Sequence, residues 1–558
     1  MFFSKTKGDM KYLFKKNNEL TLKGRRRKKR ARSTMIGLIL VLIQIVFTAL
    51  FLFRLFNLDL LPFKYITIVN VILLLLTLYN FLSQFTRTRL LGKILAILLS
   101  VAMLLGYRYS DKLYTTLAEI SNSTVKTDIV DVIVLKSDSA NSIQDTLSYT
   151  YGYNTSDNDD VLKRSISDIN KDNNTTVNTK EYSSWDDVIN DLYNNKNIRA
   201  MVITDSMRAT LLDQYDDFDA KTKIVGTVKI RTEIKLSASD KKVNDEPFII
   251  YLSGNDGYGE VTSTGRSDVN ILAVVNPKTR QILLISTPRD SYINITNSNG
   301  KKGLDKLTHA GNAGIEYSMS ALNELYGVDI DYYLKINFTG CVKIVDALGG
   351  ITINSEYEFE NGYEAAPKTY HFNVGENECD GEKTLAFVRE RKFFKLQGGD
   401  LQRGRNQEAA IQGIIAKATS PKILESYNSV LDAVSDMMLT NMSPATMTAL
   451  IRGQLSDSTS WNIQSYNIDG EGKTRDCLVY GLKQKDVVLL YDYSVDIAKE
   501  MINKIYNGET FNVDEYVSEH ASDNKSTTIS GGNSQGTSNK SNSSTTTSGS
   551  SSSKSGKQ

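Results

Sequence analysis

Three apolar runs crowd the first 107 residues, and they limit what the rest of the chain can be. Residues 35–53, MIGLILVLIQIVFTALFLF, carry no charge and are long enough to cross a bilayer as one helix. A second run covers about 65–83 and a third about 94–107, which Leu90 and Leu91 lengthen. Three successive runs behind a 34-residue arm do not fit a cleaved signal peptide. KGRRRKKRAR places eight Lys and Arg in ten residues just ahead of the first run, and Arg87, Arg89 and Lys93 follow the second. Positive flanks stay in the cytoplasm. Three crossings from that start place everything beyond about residue 110 outside the cell.

A formal net charge of +2 conceals this asymmetry. Residues 1–34 hold 13 Lys and Arg against two acids, a net +11; residues 35–107 add +4, leaving about −13 from 108 onward. An acidic exterior is a poor partner for nucleic acid. The basic arm abuts a span, which favours a role in topology and anionic-lipid contact over a nucleic-acid tail. The three cysteines, Cys341, Cys379 and Cys477, exclude a disulfide-dense scaffold and offer no CxxC metal spacing. A Cys379–Cys477 bridge and three unpaired thiols both remain open.

Chain length demands more than one core. The expected order is a basic cytoplasmic arm (1–34), three transmembrane helices (35–109), a small α/β accessory domain (110–240), an α/β/α layered domain with a mixed sheet (241–510) and a Ser/Thr/Gly-rich disordered tail (511–558). In the accessory domain DIVDVIVLK, IRAMVITD and KIVGTVKIRTEIK read as strands, and SSWDDVINDLYNNK as a helix capped by Ser184. In the larger domain NILAVVN and QILLIST flank a PKTR turn as a hairpin. NQEAAIQGIIAKA, PKILESYNSVLDAVSDMML, SPATMTALIRGQL and SVDIAKEMINKIYNG have helical spacing.

The larger domain sets arginine beside carboxylate at turn after turn. GNDGYGEVTSTGRSD carries Asp256, Arg266 and Asp268; STPRDSY gives Arg289 and Asp290; AFVRERK gives Arg389 and Arg391, two apart on one side of an extended segment; GGDLQRGRNQ gives Asp400, Arg403, Arg405 and Gln407 entering a helix. Each alone is ordinary turn or surface chemistry. Together, in an acidic exterior, they suit a phosphate-bearing ligand, because arginine grips phosphate bidentately and never loses its charge. Two loop carboxylates could then hold Mg2+ against a diphosphate. The glycine-rich run is no P-loop, since it lacks the GK[ST] ending.

These blocks, with DKLTHAGNAG, DALGGITI, CDGEKTLAFVRERK and DLQRGRNQEAAIQGII, resemble the LytR-CpsA-Psr family over about residues 247–418, in a layout similar to its capsule-associated members. The resemblance implies a Gram-positive cell-membrane enzyme that moves a glycopolymer from an undecaprenyl-diphosphate carrier onto peptidoglycan. It makes Asp256 and Asp268 ligands to Mg2+, with Mn2+ as a substitute. Arg266, Arg289, Lys306, Arg389, Arg391, Arg403 and Gln407 become the diphosphate clamp, and Arg389, Arg391, Asp290 and Asp400 the catalytic set, with Asp290, Asp400 and His309 as candidate bases. Thr287 replaces the usual aliphatic residue, and Asn406 separates the second arginine from Gln407. Hydrolysis of polyprenyl diphosphate and membrane-borne regulation of polysaccharide synthesis are the competing expectations.

Overall fold

The basic arm and the first apolar run are one helix. Residues 22–34 contain no proline and a single glycine in the first turn, and Thr21 caps them by accepting a hydrogen bond from the N–H of that Gly24 (3.2 Å), so α1 runs unbroken over Leu22–Leu58. The computed structural model describes residues 8–121, 125–212, 214–234, 236, 239–255, 263–396, 399–420, 429–430, 432–433, 437–457, 459–521 and 525–527. Helices α2 (Phe63–Ser83) and α3 (Arg89–Ser121) complete three helices long and apolar enough to cross a membrane. Polar side chains lock them together: Gln44 donates to Thr77 Oγ1 (2.9 Å) and accepts from Asn80 (2.7 Å). The loop after α1 meets the larger α/β domain, where Arg452 Nη1 donates to the carbonyl of Asp59 (3.1 Å) and Leu58, Leu113 and Leu117 pack with Leu60 and Met447.

The accessory domain follows. β1 (Val125–Leu135), β2 (Thr150–Asn154), α4 (Asp159–Asp172), β3 (Asn178–Tyr182), α5 (Trp185–Tyr193), β4 (Ala200–Thr204), α6 (Asp205–Leu212) and β5 (Thr222–Glu233) build a five-stranded sheet in the order β3-β2-β4-β1-β5. Val130, Val132 and Val134 are fully buried beneath α4–α6, as β-branched runs in a central strand should be.

The larger domain is built on β6 (Phe248–Asn255), β7 (Ser267–Asn276), β8 (Gln281–Ser286), the hairpin β9 (Tyr292–Thr296) and β10 (Lys302–Lys306), α7 (Leu307–Ala310), α8 (Ile315–Tyr326), β11 (Tyr332–Asn337) and α9 (Phe338–Ala347). Next come β12 (Ile351–Ser355), β13 (Phe359–Glu360), β14 (His371–Phe372), β15 (Gly375–Cys379), α10 (Gly381–Arg389) and α11 (Asp400–Ala418). The domain closes with β16 (Met438–Thr440), α12 (Pro444–Ser456), β17 (Asn462–Asn467), β18 (Gly470–Cys477), β19 (Leu482–Leu490), α13 (Asp492–Asn507) and α14 (Val513–His520). Its six-stranded mixed sheet runs β16-β11-β6-β7-β8-β17, with β11/β6 and β8/β17 parallel and the other pairs antiparallel. Ser443 caps α12 by accepting from the N–H of Thr446 (3.0 Å), and Gly508 ends α13 in the left-handed region (φ 76°). Buried residues of the accessory and larger domains form one continuous apolar cluster.

Three expectations change, and one open alternative is decided. Arg389 is the last residue of a helix, because Asp380 caps α10 by accepting from the N–H of Lys383; extended backbone begins only at Glu390. The helix expected up to Leu439 gives way to β16, where Met438–Thr440 pair with β11; most of 421–436 lies outside the described residues. Folded chain continues past 510, since Phe511, Val513, Tyr516 and Val517 supply an apolar face that packs on the core; residues 528–558 lie outside the described residues. No Cys379–Cys477 bridge forms: all three cysteines are free, and Cys379 and Cys477 sit in different cores.

Candidate active site

The carboxyl ends of β6, β8, β11 and β17 meet the start of β7 at one edge of the sheet, as the register pairs Asn255 with Ser267, Asn337 with Asn255, Ser286 with Ile271 and Asn467 with Ser286. Crevices beyond the carboxyl ends of such strands are where α/β sheets take ligands. Asp268 is the second residue of β7 and nearly buried. Arg289, in the turn after β8, donates from Nη1 to Asp268 Oδ1 (2.9 Å). Arg403, in the first turn of α11, donates from Nη2 to Asp268 Oδ2 (3.2 Å), and Thr308 Oγ1 lies 3.4 Å from Oδ1. Burial would push this carboxyl up, but the charges of Arg289, Arg403 and Arg266 outweigh it and hold Asp268 well below the usual carboxylate range.

A second acid stands beside the first. Asp290 lies 3.7 Å from Arg289 Nε and 3.1 Å from Lys306 Nζ. Burial opposes its ionisation; Arg289, Lys306 and the more distant Arg391 overcome this and keep it ionised. A carboxylate gripped in this way is a weak base, so Asp290 is better placed to orient Arg289 and Lys306 than to take a proton.

Sequence blocks of the expected site therefore converge in part. Asp268, Arg266, Arg289, Asp290, Lys306 and Arg403 form one charge cluster, and exposed Arg391 contributes its field. Arg389 donates to the carbonyl of Ala365 (3.0 Å) with its guanidinium over the Phe338 ring. Gln407 is buried one turn after Arg403, on the same face of α11. Asn406 turns inward and donates to the carbonyl of Phe387 (3.3 Å), which leaves Gln407 as the glutamine facing the cluster's side of the helix. Thr287 is spent on Tyr326, whose hydroxyl lies 2.7 Å away. Asp256 and the side chain of Asp400 lie outside the described residues; the backbone of Asp400 opens α11.

Three features escaped the sequence reading. Asp305 is sealed in a box: His309 Nδ1 lies 2.7 Å from Oδ1, which also accepts from the N–H of Lys306, while Oδ2 accepts from the N–H groups of Val479 and Tyr480. Cys477 completes a group with ligand atoms within 4.8 Å of one another. The carboxylate's hydrogen-bonding capacity is already used, so this is a clamp beneath Lys306 and Thr308 and not a metal centre. It also removes buried His309 from the candidate bases. Glu408, one residue past Gln407, is buried and accepts from Asn467 Nδ2 (2.7 Å). Burial pushes it up to about 8 against the pull of Asn467 and Arg405. Finally, the segment entering Asp268 is held by the accessory domain. The N–H of Thr264 donates to Thr127 O (2.9 Å) and its hydroxyl to Asp128 Oδ1 (2.8 Å); from the larger domain's own β11, Lys335 Nζ donates to Ser263 O (2.7 Å). Asp305, Thr308 and His309 share one signal, their place in the DKLTHAGNAG block, and Glu408 lies in DLQRGRNQEAAIQGII, but neither block shows that its acids are interior.

The residues suit a hard divalent cation. Asp268 is held ionised, and Asn255 Oδ1, opposite Ser267 in register, is buried with no hydrogen-bond partner among the described residues. Both are oxygen donors of the kind Mg2+ takes.

A family model, the LytR_cpsA_psr family, matches residues 208–492, just over half of the chain. The chain belongs to the LytR_cpsA_psr family. The match begins inside the accessory domain, ahead of the boundary at 241 expected from the sequence. Among curated LytR_cpsA_psr relatives is the polyisoprenyl-teichoic acid–peptidoglycan teichoic acid transferase TagU of Enterococcus faecalis, 36% identical over 203 residues, which are 36% of this chain and 63% of the relative. The TagU of Bacillus mycoides is 36% identical over 199 residues, 35% of this chain and 61% of the relative. The chain thus matches less than two thirds of these relatives' length. Similar solved structures include protein gbs0355 from Streptococcus agalactiae (28% identity, 49% of this chain and 96% of that one, TM-score 0.40) and B. subtilis TagU (25%, 48% and 100%, TM-score 0.36).

Proposed function

We propose that the chain is a membrane-anchored phosphotransferase that attaches a glycopolymer, capsular polysaccharide or teichoic-acid-like, to peptidoglycan from an undecaprenyl-diphosphate carrier. The observation that carries this reading is the convergence of Arg266, Arg289 and Arg403 on the single carboxylate of Asp268. Such a site is net positive, rigidly pre-set and nearly dry, which suits a diphosphate whose charge grows on its leaving group. Arg289 and Arg403 bind and orient the phosphoryl oxygens, Lys306 neutralises charge beside Asp290, and Arg391 reaches the cluster from the exposed side. An acceptor sugar hydroxyl forms the new bond to the sugar-bearing phosphorus, the bridging oxygen leaves with undecaprenyl phosphate, and the hydroxyl proton passes to a base this reading leaves open. Asp268, Asn255 and, by the family resemblance, Asp256 would hold Mg2+, which when bound offsets charge on the diphosphate oxygens. The expected placement is the Gram-positive cell membrane, multi-pass, with the N-terminus cytoplasmic and the exterior domains outside.

The test uses the full chain in nanodiscs with lipid-linked radiolabelled glycopolymer and peptidoglycan. Label on peptidoglycan that is lost in Asp268→Ala supports transfer. Release of undecaprenyl phosphate and free polymer phosphate without labelled peptidoglycan would establish a hydrolase instead. Intact attachment in Asp268→Ala, with transcription changed on removal of residues 1–34, would establish a regulator.

A further inference from the structure

Where α1 and α3 leave the apolar layer together, they border an open cavity of about 640 Å³, in the size range of small-molecule sites. Its wall is almost entirely cationic. Lys23, Arg26, Arg27 and Arg30 recur at helical spacing along α1, Lys29 stands beside them, and Arg89 closes the far side from the first residue of α3. Ser33 forms the lower rim and is tied to α3 by Lys93 Nζ (2.5 Å). Among the described residues one carboxylate serves this wall: Asp9, 3.2 Å from Arg30 Nε and 3.8 Å from Arg27 Nε. Six cations around one cavity repel one another, and an anion seated among them relieves that repulsion.

What lies below the cavity tells what kind of anion fits. Two residues beyond Ser33 the apolar run begins, and Ile36 and Ile39 of α1 are about half exposed, as are Leu91 and Ile94 of α3, with Leu90 more so. At 1.5 Å per residue, Arg30 stands roughly 8 Å from Met35 along the axis, at the depth of a headgroup beside its acyl chains. A free phosphate would meet the cations and leave the apolar faces bare. A nucleic acid would need the cations on an outward face.

We propose that this cavity is a binding site for an anionic membrane phospholipid, its phosphate among Arg26, Arg27, Arg30 and Arg89 and its chains along the exposed faces of α1 and α3 below Ser33. The site is separate from the Asp268 cluster, so it stands whether or not the chain transfers glycopolymer.

Native mass spectrometry of the full chain, released from nanodiscs of phosphatidylcholine with and without phosphatidylglycerol, tests it. The wild type is expected to retain phosphatidylglycerol in preference to phosphatidylcholine. Arg30→Gln with Arg89→Gln is expected to lose that preference roughly tenfold or more. Arg30→Lys with Arg89→Lys, which keeps the charge, is expected to retain most of it and controls for misfolding. Equal retention of both lipids by wild type overturns the proposal, as does retention unchanged in the Gln pair. Inorganic phosphate that binds the cavity of detergent-solubilised protein and displaces the lipid at equal concentration would identify a free-phosphate site instead. Double-stranded DNA that binds at physiological salt, depends on the same two arginines and expels the lipid would likewise overturn it.

Discussion

Arg403 reaches Asp268 across 135 residues of chain and sets its guanidinium 3.2 Å from Oδ2, while Arg289 donates to Oδ1 at 2.9 Å. The two arginines therefore hold opposite oxygens of one buried acid, and each keeps the other in place.

Breaking that arrangement should cost stability and activity separately. Asp268→Asn leaves three guanidiniums without their shared counter-charge. It should destabilise the fold by about 3 kcal/mol, read by denaturant titration, and lower polymer transfer by roughly two orders of magnitude. Arg403→Lys keeps the charge but loses the fork. It should leave stability within about 1 kcal/mol of wild type while transfer still falls at least about tenfold.

Glu408 makes stability depend on pH in the direction opposite to a salt-bridged acid. Its folded value, about 8, lies above the ordinary glutamate value of 4.5, so the fold favours the protonated form. Stability should be fully present below pH 4.5, fall as pH rises, and level off above about 8. Glu408→Gln keeps an acceptor for Asn467 and should remove this slope, raising stability at pH 8 by up to roughly 3 kcal/mol. Paired melts of wild type and variant across pH 5–9 that run parallel would contradict this.

Thr264 links the accessory domain to the segment carrying Arg266 and Asp268. Thr264→Val removes the hydroxyl bond to Asp128 while keeping the backbone bond. It should raise KM for the lipid-linked donor severalfold with less effect on kcat. Thr264→Ser should restore KM, because a hydroxyl alone is required.

Sidedness can be read directly. The loop after α1 touches Arg452, whereas the loop after α2 returns to the basic end of α1, where Thr34 donates to the carbonyl of Gln84 (3.3 Å). In a chain stripped of native cysteines, Leu61→Cys should react with an impermeant maleimide added outside intact cells, and Arg87→Cys should react only after lysis. The reverse pattern would invert the chain in the membrane.

Much of this was legible in the sequence, for physical reasons that vary by element. Helix ends marked by Ser443, Pro444 and Gly508 and the hairpin around PKTR depend on local chemistry, which a sequence displays. The cluster around Asp268 was visible as arginine-acid blocks, but their pairing was not, because it joins β7, the turn after β8 and the first turn of α11. Arg389 misled for the same reason: a two-residue spacing says nothing of the cap at Asp380 that makes its segment helical. Asp305 and Glu408 look like any surface acids in sequence. Only the packing of Val479, Tyr480 and Asn467 over them makes them interior groups.

Leu58, Leu113 and Leu117 interlock with Leu60 and Met447, and Arg452 fastens the loop beside them. A unit mounted in this way sits at a set height above the end of its helices, as a lathe tool does above its bed. On the proposed transfer reading, the diphosphate of the donor would have to rise to that height, and growing polymer would feed away from the membrane.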